Sequence, residues 1–166
     1  MQVNIAVLTV TDTRTLENDK SGKILVEKIA EQKHNLIDRK IVKDNKDDIK
    51  KILLDWTEKE QIDVIITTGG TGLTGRDITP EALDEIADKK IRGFGELFRQ
   101  LSYKTVGTST IQSRACAILK NGKYIFALPG SSGGVKDAWD MILKYQLDIN
   151  HKPCNFVELF PRLKEK

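Results

Sequence analysis

The sequence predicts an α/β protein with a largely parallel, mixed sheet. Three observations carry this reading. Val64, Ile65 and Ile66 form an uninterrupted β-branched run, the pattern of a strand buried on both faces. Residues 3–10 (VNIAVLTV) repeat it. Amphipathic helical stretches alternate with these runs, most clearly where Ile49, Ile52, Leu53 and Trp56 fall at i, i+3, i+4 and i+7.

The chain has 166 residues, enough for one sizeable core, and residues 1–166 read as a single domain without repeats or linkers. It is 39% hydrophobic and 31% charged, with a formal net charge of +3 from scattered lysines and arginines. That charge is too small and too dispersed for a nucleic-acid partner, but it suits an anionic ligand. Cys116 and Cys154 have neither C-x-x-C spacing nor a nearby histidine, so they read as reduced, buried thiols. The sequence offers no basic leader and no apolar run long enough for a membrane; the cytoplasm is the expected compartment.

Taken in order, the first strand (residues 3–10) ends in Thr11-Asp12-Thr13-Arg14, a polar loop at a carboxyl strand end, where open α/β sheets bind ligands. A helix over residues 23–32 follows, capped by Asp19 or Ser21. Residues 36–42 form a shorter, more polar strand suited to the sheet edge. Asp44 follows that strand, and Asn45 caps the next helix, with Asp47 and Asp48 in its first turn.

Residues 62–82 (IDVIITTGGTGLTGRDITPEA) organise the chain. A buried strand runs into Gly69, Gly70 and Gly72, where no Cβ prevents a sharp turn or a close ligand approach. Thr79-Pro80-Glu81 reads as an N-cap, a proline at the first helical position and an acidic first turn. There is no Gly-Lys-Ser/Thr, which excludes a Walker A loop. Residues 70–75 match G-x-G-x-x-G, yet they follow the third strand and not the first. The acidic residue due about 20 positions later would be Glu96, within a helical pattern. A nicotinamide enzyme is therefore the weakest of the readings.

Residues 93–103 form a further helix, with Phe94, Leu97, Phe98 and Leu101 on its apolar face and Glu96 and Arg99 on the other. Two strands, 116–119 and 124–128, flank Asn121-Gly122, a hairpin signal that makes one strand antiparallel. The second of these strands enters Pro129-Gly130-Ser131-Ser132-Gly133-Gly134, a second glycine-rich loop before a helix marked by Val135, Ala138, Trp139 and Ile142. The polar, proline-punctuated segment from His151 is expected to cross the surface or reach a neighbouring subunit.

Two glycine loops at strand ends suit phosphates. Asp12, Asp44 and Asp77 fall on the same side of the sheet, and carboxylates beside phosphates need a cation between them. Mg²⁺ meets that need, with Arg14, Arg76 and Arg114 taking up remaining negative charge. No Ser-His-Asp, Cys-His or paired-glutamate constellation is present. Transfer at phosphorus by a phosphate nucleophile requires none.

The segment TTGGTGLTGRDITPEA resembles the T-G-G-T-G-x-x-x-R-D-x-T-P-E signature of the molybdenum-cofactor proteins MoaB and MogA, and of related domains in plant Cnx and animal gephyrin. TDTR, the DxSG at Asp19 to Gly22, IVKDN, GFGELFR, STIQSR, ALPGS and KPCNF are similar to MoaB segments in MoaB order, so the resemblance covers nearly the whole chain. It implies a three-layer α/β/α sandwich and a homotrimer or homohexamer. It also implies binding of molybdopterin, a pterin bearing a dithiolene and a terminal phosphate. Relatives resembling MogA use Mg-ATP to adenylylate that phosphate and release pyrophosphate. By position, Asp77 and Asp44 resemble the family's functional aspartates, as catalytic residues and holders of Mg²⁺. Gly69, Gly70, Thr71 and Gly72 would cradle the ligand. Ser113 and Arg114 resemble a serine-arginine pair near molybdopterin, and Pro129, Gly130 and Ser131 resemble the second loop. Asp12, Ser21 and Glu96 complete the expected set. Ser132 stands where many active relatives have proline, a MoaB-like feature that keeps a non-catalytic binding or assembly protein as the alternative.

Overall fold

A computed structural model describes residues 1–165. Its strands are β1 (Asn4–Val10), β2 (Asn35–Val42), β3 (Val64–Thr68), β4 (Lys89–Lys90), β5 (Cys116–Lys120) and β6 (Lys123–Leu128). The main helices are α1 (Lys20–Glu31), α2 (Lys46–Glu58), α3 (Thr79–Ile86), α4 (Arg92–Val106) and α5 (Ser132–Ala138). The helix begun by α5 continues through a π-helical stretch, Trp139–Leu143, to a last α-helical turn, Lys144–Gln146.

The sheet order is β2-β1-β3-β6-β5-β4. β2, β1, β3 and β6 are mutually parallel, and β5 is antiparallel to both of its neighbours. β2 occupies an edge, as its polarity predicts. The Asn121-Gly122 turn has φ of 49° and 71°, the left-handed pair that a two-residue hairpin demands.

Alternation along the buried strands divides the core into two faces. Ile5, Val7, Val64, Ile66 and Phe126 meet Leu25 and Ile29 of α1, Phe94 and Phe98 of α4, and Val135 and Trp139. Ala6, Leu8, Ile65, Ile125 and Ala127 meet Ile49, Leu53 and Trp56 of α2, and Ala82 and Leu83 of α3. This is the three-layer α/β/α sandwich. Each buried Val, Leu, Ile or Phe contributes about 1.5–3 kcal/mol against exposure.

Several boundaries differ from expectation. α1 begins at Lys20, because the Asp19 carboxylate caps it by accepting from Gly22 N at 2.9 Å. Thr79 is not a cap: Ile78 holds that position, and Thr79 lies in the first turn with its hydroxyl turned elsewhere. β4 pairs only Lys89 and Lys90 with β5 and carries no hydrophobic alternation to announce it. Cys116 is half-buried, whereas Cys154 is exposed, against the expectation for it, because it lies in an irregular segment outside both core faces. The segment after His151 packs on its own chain. The Phe156 and Phe160 rings lie 4.6 and 5.8 Å from the Tyr124 ring, centroid to centroid.

Candidate functional site

The chain passes from β1 outward to β2, then returns to place β3 on the other side of β1. Order reverses at that seam, and the loops leaving β1 and β3 diverge to leave a crevice at the carboxyl ends of the strands. A cleft of about 320 Å³ opens there. Asp12, Ser21, Asp44, Gly69, Gly70, Asp77 and Gly130 all line it, with Arg14, Asp19 and Arg76.

The loops are held by hydroxyls that donate to their carbonyl oxygens. Ser21 Oγ donates to Gly130 O at 2.6 Å, Thr68 Oγ1 to Pro129 O at 2.8 Å, and Thr79 Oγ1 to Gly69 O at 2.9 Å. Gly69 and Gly70 have φ of 102° and 68°, in the left-handed region. A Cβ on Gly69 would stand 2.2 Å from Val10 O, and one on Gly70 would stand 2.3 Å from Thr79 Oγ1. These glycines are therefore dictated by the close approach of the β1 and β3 ends to each other and to α3.

The four aspartates around the cleft have different environments. Asp12 is held below the ordinary carboxylate range, first by hydrogen bonds from Arg76. Asp44 is pushed up, chiefly by burial and then by the negative charge of Asp12. Among the described residues, Asp44 has no ion-pair partner. At Asp77 burial acts upward, but the hydroxyl and amide of Thr74, both donating to Oδ2, together with the Gly72 amide and the charge of Arg114, outweigh it and the net shift is downward. Asp19 is fully buried. Burial opposes its charge, while Thr9 Oγ1 at 2.6 Å, Gly22 N at 2.9 Å and Arg39 Nη2 at 2.9 Å sustain it, and its pKa is lowered.

This donor set suits a hard cation that brings its own oxygen ligands. No group of three or more His, Cys, Asp or Glu side chains forms a ready-made metal cage among the described residues. Mg²⁺ commonly takes one or two carboxylates and completes its shell with phosphate and water. Asp44 and Asp77 can each offer an oxygen. Backbone without a side chain faces both: a Cβ on Gly70 would lie 3.2 Å from Asp44 Oδ1, and one on Gly72 would lie 2.7 Å from Asp77 Oδ2.

Other expected residues lie beside the cleft. Thr71 and Gly72 present carbonyls to Arg114: its amide donates to Thr71 O at 2.9 Å and its Nε to Gly72 O at 2.7 Å. Ser113 precedes it. Pro129 and Ser131 flank Gly130, and the Ser131 hydroxyl accepts from Gly134 N at 3.1 Å, capping α5. Glu96 lies apart. It is exposed on α4, beside a hollow lined by Gly95, Arg99 and Cys116, because the helical period turns it away from the sheet seam. Sequence reasoning did not single out Thr9, Arg39, Thr68 or Glu81 as parts of this site. Arg39 carries no distinguishing signal, since Asp38 and Lys40 beside it in β2 are charged as well.

The sequence profile described as "probable molybdopterin binding domain" matches residues 6–149. The chain is 44% identical over 161 residues to molybdenum cofactor biosynthesis protein B of Escherichia coli strain K12, covering 97% of this chain and 93% of that protein. A crystal structure of a molybdenum cofactor biosynthesis protein B superposes with a TM-score of 0.90 at 39% identity, covering 100% of this chain and 98% of the other. The tungsten cofactor synthesizing protein MoaB of Pyrococcus furiosus superposes with a TM-score of 0.76 at 37% identity, covering 86% and 91%.

Proposed function

This chain belongs to the molybdopterin-binding family of molybdenum cofactor biosynthesis proteins, and from that premise we propose that it transfers AMP from Mg-ATP to the terminal phosphate of molybdopterin. The observation that carries the proposal is the meeting of Asp12, Asp44, Asp77 and two glycine loops in one cleft at the sheet's order reversal.

In the reaction an oxygen of the molybdopterin phosphate forms a bond to the α-phosphorus of ATP. The bond from that phosphorus to the bridging oxygen of the β-phosphate breaks, and pyrophosphate leaves with the electron pair. A phosphate nucleophile is already anionic at neutral pH, so no general base is required. This accords with the absence of a histidine among the residues lining the cleft. The work left to the protein is to align two anions and to spread the charge developing between them.

Asp44 and Asp77 would hold Mg²⁺, whose charge offsets that of the phosphate oxygens. The raised pKa of Asp44 marks a carboxylate poorly compensated by the protein alone. The loops at Gly69-Gly70 and Gly130 are fixed by the hydroxyls of Ser21, Thr68 and Thr79, so they keep their shape while a ligand docks. Arg14, exposed at the rim, is placed to meet negative charge entering the cleft.

A homotrimer or homohexamer in the cytoplasm is the form in which we propose it works. Leu97, Tyr103, Val106 and Ile111 support self-association: all are large, apolar and exposed on α4 and the turn after it. Sedimentation of the purified protein tests this, and a monomer at micromolar concentration would overturn it.

The deciding experiment incubates the protein with molybdopterin and Mg-ATP and follows adenylylated molybdopterin by mass spectrometry. Turnover is expected. Molybdopterin binding without adenylylation, in folded protein supplied with Mg²⁺, would replace the transferase by a non-catalytic binding or assembly role. Thermal stabilisation by NAD alone would exclude both.

A further inference from the structure

We propose that Arg114 is a positioning residue for Asp77, acting through the backbone of the loop that carries it, with Glu81 setting the angle of the guanidinium. The inference rests on the reading above only in taking Asp77 as a ligand-facing carboxylate.

Besides Arg114, the loop from Gly72 to Asp77 is tied outward at Arg76, whose exposed side chain pairs with Asp12 of the loop after β1. Leu73, Thr74, Gly75 and Arg76 are all exposed, and Leu73, the one large apolar side chain, leaves two-thirds of its surface in solvent (66%). No hydrophobic anchor fixes the segment. Its internal bonds are Asp77 N to Thr74 O at 3.0 Å and the two from Thr74 to Asp77 Oδ2, at 2.9 Å from the amide and 2.7 Å from the hydroxyl. These define the local turn but tie it to nothing outside.

Arg114 supplies the tie to the loop's backbone, where Arg76 holds on only through its own side chain. Its Nε donates to Gly72 O at 2.7 Å, and its Nη2 donates to Asp77 O at 2.9 Å. One planar side chain thus grips both ends of the loop. Its own amide donates to Thr71 O at 2.9 Å, so main chain and side chain hold the same segment. The remaining nitrogen, Nη1, donates to Glu81 Oε1 on α3. The other Glu81 oxygen is buried without a hydrogen-bond partner among the described residues. Glu81 is therefore committed to Arg114 alone. It links the loop to the helix whose first turn is already bound to Gly69 and Gly70 through Thr79.

This arrangement argues against direct ligand contact by Arg114. Three of its five N–H donors are directed at protein oxygens, and the residue does not line the cleft. It also requires arginine. A lysine ammonium is a point donor and cannot span two carbonyls and a carboxylate in one plane.

The test uses full-length Arg114→Ala, Arg114→Lys, Glu81→Gln and Asp77→Asn with two readouts. Hydrogen exchange should speed at the Thr74 and Asp77 amides in Arg114→Ala and Arg114→Lys, while β3 and α3 amides keep wild-type protection. Mn²⁺ binding with a non-hydrolysable ATP analogue, followed by electron paramagnetic resonance, should weaken roughly 10- to 100-fold in Arg114→Ala. The double variant with Asp77→Asn should bind no more weakly than Asp77→Asn alone. Added guanidinium should restore part of the Arg114→Ala loss, and Glu81→Gln should fall between wild type and Arg114→Ala. Unchanged exchange in Arg114→Ala would overturn the proposal. So would losses that add in the double variant, since these would put Arg114 on the ligand. Should Asp77→Asn bind like wild type, the function assigned to Asp77 fails, while the exchange data still decide whether Arg114 positions it.

Discussion

Arg76 and Asp12 join the loops after β3 and β1 by a two-pronged ion pair, Nε to Oδ2 at 2.9 Å and Nη2 to Oδ1 at 3.0 Å. Asp12 Oδ1 also accepts from the Asp44 amide at 3.1 Å. One carboxylate thereby fixes a neighbouring loop and loads its field onto the Asp44 side chain. Replacing Asp12 by Asn removes that like charge. Burial remains, so the Asp44 pKa should fall only part of the way to the ordinary carboxylate value. Carboxyl-carbon NMR titration measures it; an Asp44 pKa unmoved by the change would contradict the assigned cause.

Asp44→Asn should stabilise the fold at neutral pH while abolishing adenylylation. A carboxyl whose folded pKa exceeds the unfolded value, about 3.9, binds more protons in the folded state. Stability therefore falls as pH rises from that value through the raised one, and the cost is complete above it. The urea midpoint of Asp44→Asn should exceed wild type at pH 7, and the difference should vanish near pH 3. A destabilised variant at pH 7 would show that Asp44 is held by protein contacts.

Asp19→Asn should have the opposite sign. It removes a buried charge that Thr9, Gly22 and Arg39 satisfy, and leaves Arg39 facing a neutral amide. The loss should be on the order of 3 kcal/mol at pH 7 by chemical denaturation. The lowered pKa makes the native contribution full above the unfolded value, and it disappears as pH falls through the folded one. Equal wild-type and variant stabilities at pH 7 would refute this account.

Gly72→Ala is the most selective steric test. Its Cβ would lie 2.7 Å from Asp77 Oδ2, so the carboxylate must move while φ needs no strained value. Misplacement near 1 Å can cost about 100-fold in rate. The expected result is a near-native melting temperature with adenylylation reduced by about that factor. Full activity would mean that the Asp77 position is not critical.

The thiols should react unequally. Cys154 is exposed, whereas burial pushes the Cys116 thiol up to about 11. A thiol reagent at pH 7.5 should modify one cysteine per native chain quickly, and the second only on unfolding. Rapid modification of Cys116 would show that β5 opens readily.

The sequence made the frame legible where local pattern and burial agree. β1 and β3 are continuous apolar runs because both faces of the sheet are covered. α2 shows its period, and Asn121-Gly122 can make little but a tight hairpin. The topological placement of Asp12, Asp44 and Asp77 was legible for the same reason, since each follows a strand end. What each polar group reaches was not. Arg76 meets Asp12 across 64 positions, Arg114 meets Glu81 across 33, and Asp19 meets Arg39 across 20. Such pairs leave no periodic trace. Thr79 read as a helix cap because capping chemistry and carbonyl bonding use the same hydroxyl. β4 was silent because a two-residue strand of exposed lysines buries nothing.

The three hydroxyls that hold the glycine loops have a consequence for how binding is driven. Ser21, Thr68 and Thr79 are almost fully buried, and each hydroxyl is already engaged by a loop carbonyl, although Ser21 and Thr68 also line the cleft. Thr68→Val and Thr79→Val keep the side-chain volume, yet each would free a carbonyl that now has one orientation. A chain so altered would order its loops at the moment of capture, and calorimetry would record a more unfavourable binding entropy at similar contact enthalpy. The order of these loops is thus set in folding, before any ligand arrives.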